Sequence, residues 1–283
     1  MMKEMSIEEY KKVELGILRY FDSYCSRNKL RYLLAGGTLL GAIRHGGFIP
    51  WDDDIDIVMP RSDYMTFVRS FNKENNRYQV LSPFTIDGWY STFAEIEDCK
   101  TVKIYENFDK RILSGVSIDV FPIDGAPENY LVRRIYWGIQ NFLARIFILS
   151  QMRFSASKRY CLKCNAKKFL IKNKIRTAIK LILMPFAKCT IPLRLSVIVN
   201  KIGMIFDVDN CSYVGVSVFP LYGYKECMKS ELLLQSIKWN FCNMQLNIPV
   251  GYEEYLKQHY GAYMQCPSDD QQVSHHHFKA FWK

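Results

Sequence analysis

The apolar positions change period along the chain, and each change marks an element. Tyr10, Val13, Ile17, Phe21 and Tyr24 recur at helical intervals behind a Ser6/Glu9 capping-box pair, which predicts a helix over 6–27. Leu30 to Leu34 is a short apolar run suited to a buried strand. Gly36-Gly37 breaks it before Thr38 to Ile43 resumes with helical character, giving strand, glycine turn and helix. A turn-prone loop, Arg44 to Trp51, then feeds Asp54 to Met59, which reads as a strand ended by Pro60. A helix over about 62–72 follows, with strands near 78–82, 90–96, 100–106 and 115–121. Beyond them come helical apolar stretches at Ile135 to Leu149 and Ile175 to Phe186, a strand over Ser212 to Phe219, an amphipathic stretch, and a last helix around Tyr252 to Tyr260. The mixture predicts an α/β or α+β protein with a central sheet.

Composition adds one decisive feature. At 49% hydrophobic and 23% charged, the 283 residues are those of a packed protein, not a disordered or low-complexity one. The net charge of +10 is unevenly placed: Asn129 to Phe206 holds sixteen Lys and Arg and no Asp or Glu in 78 residues, so the remainder is net acidic. Apolar runs interleaved with those cations suit contact with an anionic membrane surface, with a solvated helical insertion as the alternative. No uninterrupted apolar run reaches the roughly 18 residues of a spanning helix. Nine cysteines in an odd count, behind a charged N-terminal stretch unlike a signal peptide, suggest reduced thiols and a cytoplasmic address. The single Cys161-x-x-Cys164 pair has no second pair or His couple at metal-ligand spacing.

The candidate chemistry is carried by carboxylates. Asp54 and Asp56 lie two residues apart, so on a strand both project from one side. In Ser117-Ile118-Asp119-Val120, Val116, Ile118 and Val120 would face the core and Asp119 the opposite side. If the two strands are neighbours, three carboxylates converge, repel one another, and are relieved by a divalent cation such as Mg²⁺, or Mn²⁺ in its place. The alternative for Asp52 to Asp56 is a solvated acidic loop or a helix cap, but Asp56 is embedded between Ile55 and Ile57-Val58-Met59. Gly36, Gly37 and Thr38 permit close backbone approach and open a helix, a combination that binds phosphate; an ordinary strand-to-helix turn is the other reading.

The stretch LLAGGTLLGAIRHGGFIPWDDDIDIVMPRSDY, Leu33 to Tyr64, strongly resembles the LicD family, which also includes the fukutin-related proteins. The resemblance continues through Gly115 to Asp124 and at Ile248-Pro249 to Met264 with a late His, but hardly touches the basic middle. It implies a nucleotidyltransferase-like mixed sheet flanked by helices, with a catalytic core over 1–128, a basic, mainly helical insertion over 129–206, and a C-terminal part, 207–283, completing the catalytic domain. It also implies Gly36-Gly37 as the glycine signature, Asp54 and Asp56 as paired metal ligands and Asp119 as the third carboxylate, provisionally the base.

The implied activity is transfer of phosphocholine from a CDP-linked donor to a hydroxyl of a cell-surface glycan or lipid-linked precursor, with CDP-ribitol or CDP-glycerol as the alternative donor. Arg44 and His45 would lie near the donor pyrophosphate, with a solvated turn as the alternative, and Trp51 would stack on a base or a quaternary ammonium or else anchor the loop in the core. Asp52 and Asp53 would orient the ligands or cap the turn, and one of His275, His276 and His277 would reach the site, with a surface role as the equal alternative. Trp89, Tyr90, Phe84 and Phe93 are further aromatic candidates for a choline enclosure. The competing readings are a nucleic-acid nucleotidyltransferase, although no nucleic-acid partner is expected, and a non-catalytic membrane-surface adaptor.

Overall fold

The computed structural model describes residues 3–74, 76–87, 89–105, 114–151, 192–219, 222–268, 272 and 278–283. The first half runs β1 (Lys3–Glu4), α1 (Ile7–Asn28), β2 (Leu33–Leu34), α2 (Gly36–His45), β3 (Asp56–Pro60), α3 (Arg61–Ser70), β4 (Tyr78–Leu81), β5 (Ala94–Asp98), β6 (Thr101–Tyr105) and β7 (Ser117–Ala126). Then come α4 (Tyr130–Gln151), α5 (Pro192–Gly203), β8 (Tyr213–Gly215) and β9 (Met228–Lys229). After a helical turn at Ser230–Leu233, β10 (Ser236–Phe241), β11 (Met244–Pro249), α6 (Tyr252–Tyr260) and β12 (Phe278–Trp282) complete the described chain.

The molecule is a mixed α/β fold. Its main sheet has seven strands, ordered β2-β3-β7-β5-β4 with β8 on the far end of β7 and β9 beyond it. β3 and β7 pair in parallel at the centre, whereas β2, β5 and β4 join antiparallel. α1 packs on β5 and β7, and α3 on β3 and β7. Into β7, Val116, Ile118 and Val120 are fully buried while Asp119 and Phe121 are half-buried, the alternation that sets the core face of this stretch.

Several boundaries differ from the sequence expectation for local reasons. β7 runs through Pro122 to Ala126 instead of stopping before the proline. Asp119 N–H bonds Ile55 O on the β3 side, so Pro122, three residues on, turns its nitrogen to the other side. There it falls in the gap between the end of β5 pairing at Val120 and the start of β8 pairing at Asp124, where no donor is required. The amphipathic stretch after residue 230 is a hairpin, β10–β11, hidden because its two-residue turn is Cys242-Asn243, both at positive φ, without the usual glycine. β12, paired with β1 and β6, was likewise not expected.

The described part of the basic region is two helices, α4 and α5, packed on each other and fastened to the core through buried polar groups. Arg61 grips Asp124 of β7 with two bonds, Nε to Oδ1 at 2.6 Å and Nη2 to Oδ2 at 2.9 Å, and reaches Asn200 Oδ1 on α5 at 3.0 Å. Ser217 Oγ donates to Asp124 Oδ2 at 2.6 Å, and Gln140 Nε2 of α4 donates to Ser217 Oγ at 3.2 Å. Gly203 closes the contact: a Cβ there would stand 2.5 Å from Asp124 Oδ2. Ile175 to Phe186 and the Cys161/Cys164 pair lie outside the described residues. Among the described residues, Cys25, Cys99, Cys211, Cys227, Cys242 and Cys266 are free thiols, and no helix is long and apolar enough to cross a membrane.

One acidic side chain is buried in α1. Glu14 has no exposed surface, and neither carboxyl oxygen has a hydrogen-bond partner. Burial lifts its pKa well above the ordinary glutamate value, Asp54 adds to the rise, and Lys103 opposes it. A raised acid favours folding while protonated and loses that advantage as pH climbs above its unfolded pKa. Glu14→Gln, which carries no charge, is therefore expected to gain stability over the parent between pH 5 and pH 8 in metal-free buffer. Thermal melts at both values check this, and a gap that stays constant or shrinks would mean that Glu14 is ionised and paired. Arg61→Met, which strands Asp124 among buried neighbours, is expected to cost about 3–5 kcal/mol in chemical denaturation.

Candidate active site

The parallel register of β3 on β7 sets Asp56 directly beside Asp119, and the antiparallel register of β5 on β7 sets Glu95 on the other side of Asp119. Directly opposed residues share a sheet face. Asp56, Asp119 and Glu95 therefore form a row across three neighbouring strands. Asp54 lies just ahead of β3, whose first strand residue is Asp56, so its place follows from the approach loop and not from strand alternation. It still acts on Asp56: burial pushes the Asp56 carboxyl well above the usual carboxylate range, followed by repulsion from Asp54, Asp119, Asp52 and Glu226.

The two glycines make room for this arrangement. A Cβ on Gly36 would lie 2.4 Å from Asp56 Oδ2, and one on Gly37 the same 2.4 Å from Asp52 Oδ2. Gly36 also holds φ +53°, in the left-handed region. Carboxylates thus occupy the space over the first turn of α2 where the sequence suggested a phosphate. Thr38 serves the same end: its Oγ1 accepts the Asp56 backbone N–H at 2.8 Å, and its side chain is buried. Tyr255 Oη of α6 accepts the Gly36 N–H at 3.1 Å, tying the C-terminal helix to the site.

The remaining sequence candidates separate. Arg44 and His45 stand at the other end of α2, about 12 Å along the axis from Gly36. Arg44 Nη1 donates to Tyr263 O at 2.9 Å and its Nε to His45 Nε2 at 2.9 Å, while its guanidinium lies 5.9 Å from the Trp51 ring. Arg44 thus holds the 263–265 segment against α2, with His45 and Trp51 placed beside its guanidinium. Burial, then Arg44, lowers the His45 pKa. Asp53 is buried, and Asp52 and Asp54 are half-buried. His275, His276 and His277 lie outside the described residues.

The structure adds residues that sequence reasoning passed over. Glu95 accepts from Tyr90 Oη and, at 2.9 Å, from Ser117 Oγ, which in turn accepts from buried Lys103 Nζ at 2.7 Å. On α6, His259 is buried, with Nδ1 2.7 Å from Tyr255 O and Nε2 3.3 Å from Glu226 Oε2, and Glu226 is among the charges acting on Asp56. The signal for Glu14 was present, since it falls on the same helix face as Tyr10, Val13 and Ile17. Glu95 and Glu226 gave no local signal, because only strand pairing and chain return bring them near.

Chemically, the row is an all-oxygen donor set of the kind that Mg²⁺ or Mn²⁺ takes. Among the described residues no three His, Cys, Asp or Glu side chains are already gathered at metal-site spacing. The lifted Asp56 pKa is nevertheless the strain that a bound cation would relieve, and Asp54, Asp56 and Asp119 are the groups that could hold it.

Residues 29–140 match the family described as LicD/FKTN/FKRP, nucleotidyltransferase domain. Along nearly its whole length the chain is similar to the lipopolysaccharide cholinephosphotransferase LicD of Haemophilus influenzae, at 33% identity over 283 residues and 99% of each chain. A shorter match, 51% over 39 residues, covers 14% of this chain and 8% of the human ribitol 5-phosphate transferase FKRP. Another, 28% over 120 residues, covers 40% of this chain and 10% of mannosyltransferase regulator 4 of Saccharomyces cerevisiae. With a glycine-opened helix beneath paired aspartates and similarity from end to end, the chain belongs to the LicD family of transferases.

Proposed function

We propose that this protein transfers phosphocholine from a CDP-linked donor to a hydroxyl of a lipopolysaccharide-like glycan or its lipid-linked precursor, with Mg²⁺ or Mn²⁺ at Asp54, Asp56 and Asp119. The observation that carries the reading is the end-to-end similarity to a lipopolysaccharide cholinephosphotransferase, in a chain whose strand register sets Asp56 beside Asp119. A bound cation would supply charge neutralisation for the donor diphosphate. Asp119 accepts the proton of the acceptor hydroxyl, whose oxygen forms the new bond to the choline-bearing phosphorus as the bond to CMP breaks and CMP departs. Thr38, through the Asp56 amide, and Gly36 and Gly37, through the room they leave, fix where the carboxylates stand. A polyol phosphate donor, CDP-ribitol or CDP-glycerol, is the second reading, favoured by the short stretch shared with a ribitol 5-phosphate transferase.

The acceptor reading is joined by a surface suited to membranes. α4 has two apolar faces. Tyr136, Trp137, Ala144 and Phe147 are buried, while Leu131, Ile135, Ile139 and Phe142 on the opposite side are 67, 63, 49 and 56% exposed. Exposed Arg134 and Arg145 flank that outer stripe, and the helix has no acidic residue. Such a face lies well in the headgroup layer of an anionic bilayer, where lipid-linked glycans are held.

Two results are expected. Asp56→Asn and Asp119→Asn each lower CMP release from CDP-choline on the order of 10³-fold, several kcal/mol of lost charge stabilisation, while melting temperature without metal holds or rises because repulsion is relieved. Turnover near the parent level in either variant would sink the assignment. The protein also co-sediments with phosphatidylglycerol vesicles but not with neutral phosphatidylcholine vesicles at low salt, and Ile135→Glu together with Ile139→Glu weakens that binding by about tenfold or more. Equal recovery with both lipids would refute the surface assignment.

A further inference from the structure

The sheet face that carries the carboxylates continues as aromatic surface. Strand residues two apart share a face, so Phe121 follows Asp119 about 7 Å further along β7. Across from it stands Phe93, two residues before Glu95 and at the mouth of β5, with ring centroids 4.2 Å apart. Phe219 joins them, 5.4 Å from Phe93 edge-on and 6.1 Å from Phe121 with the two rings close to parallel, 27° apart. Phe93 is buried behind, whereas Phe121 and Phe219 are half-buried and keep part of their surface toward solvent. Tyr90 donates its hydroxyl to Glu95, the carboxylate next to Asp119, and its ring lies 4.4 Å from Trp89. The result is a row of carboxylates bordered by a row of aromatic rings.

Given the phosphocholine transfer proposed above, we infer that Phe121 and Phe219, backed by Phe93 and bordered by the Tyr90–Glu95 pair, are the wall that receives the quaternary ammonium head of the donor. A trimethylammonium group has no proton to donate. It is held by π faces and by nearby negative charge, and the surface offers both. The spacing suits the donor, because a phosphorus held at the Asp119 row carries its cationic head on a two-carbon arm, one side-chain row along the strand. Phenylalanine rings offer no hydrogen bond to a polyol, so the same wall disfavours glycerol and ribitol heads. The face has charge complementarity to a cation, unlike the cation-flanked stripe of α4. Of the aromatic candidates in the sequence, Tyr90 and Phe93 belong to this wall and Trp89 supports it, whereas Trp51 packs with Arg44 and His45.

The test is donor discrimination by the full-length protein. Phe121→Leu and Phe219→Leu are expected to lower the ratio of kcat/KM for CDP-choline over CDP-glycerol about tenfold each, chiefly through KM for CDP-choline, while Phe219→Trp keeps or raises it. Calorimetric titration of CDP-choline into metal-loaded protein gives a second readout, with Kd rising by a similar factor in the leucine variants. Should a leucine variant fail to fold, Phe121→Met and Phe219→Met, which fill the space but lose the ring, take its place, with the same fall in the ratio expected and an unchanged ratio counting against the wall. An unchanged ratio and Kd in folded leucine variants, with CDP-choline still used, would overturn the wall and leave the phosphotransferase reading standing. Parent protein that uses CDP-glycerol and not CDP-choline would overturn the wall and the choline assignment together, and no turnover of any CDP-alcohol would overturn the proposed function itself.

Discussion

The register between β3 and β7 is the constraint on which the site rests. It puts Asp56 and Asp119 side by side, and like charges opposed across strands destabilise a sheet. The arrangement holds because the intervening residues, Ile57 and Met59 on one strand and Ile118 and Val120 on the other, are buried on the opposite face, and a slip of one residue would turn all of them out. Apolar burial thus enforces an electrostatic strain. The surroundings are built to the same strain: glycine at 36 and 37 leaves room for the carboxylates of Asp56 and Asp52, and Thr38 holds the Asp56 amide.

β7 serves both of its faces. On one, Ser117, Asp119 and Phe121 run from the Glu95 network through the carboxylate row to the aromatic wall. On the other, Asp124 receives Arg61 and Ser217, and so fastens α4 and α5 to the sheet. A buried ion pair contributes little net stability but is costly to break, so its value here is in fixing where the two helices sit. The outer stripe of α4 is thereby held in a set position relative to the carboxylates.

The C-terminal segments finish a site that the first half begins. Tyr255 takes the Gly36 amide, Glu226 adds to the field on Asp56 and pairs with His259, and Arg44 binds the carbonyl of Tyr263. The Gly36–Tyr255 and Arg44–Tyr263 contacts each span 219 residues of chain, so the surroundings of the carboxylates draw on both ends of the sequence.

By itself the sequence determined the local elements and the identity of the central acids. Helical period and a capping box located α1, alternation around Asp119 located β7, and the apolar setting of Asp56 marked it as a strand residue, because these signals depend only on near neighbours in the chain. Tertiary structure alone decided what those acids stand beside. Glu95 reaches the row through antiparallel pairing, and Glu226 and His259 through the return of the chain. Phe219 meets Phe121 and Phe93 from about 100 and about 125 residues away. The β10–β11 hairpin carries no turn signal in its sequence, because its turn takes positive φ at Cys242 and Asn243 without glycine. Asp52, which the sequence assigns to orienting the ligands or capping the turn, lies against Gly37, since only the folded loop brings them together. Short-range periodicity fixes which way a side chain points along its own element, but the partner it meets there depends on register and chain return, which burial of the whole core selects.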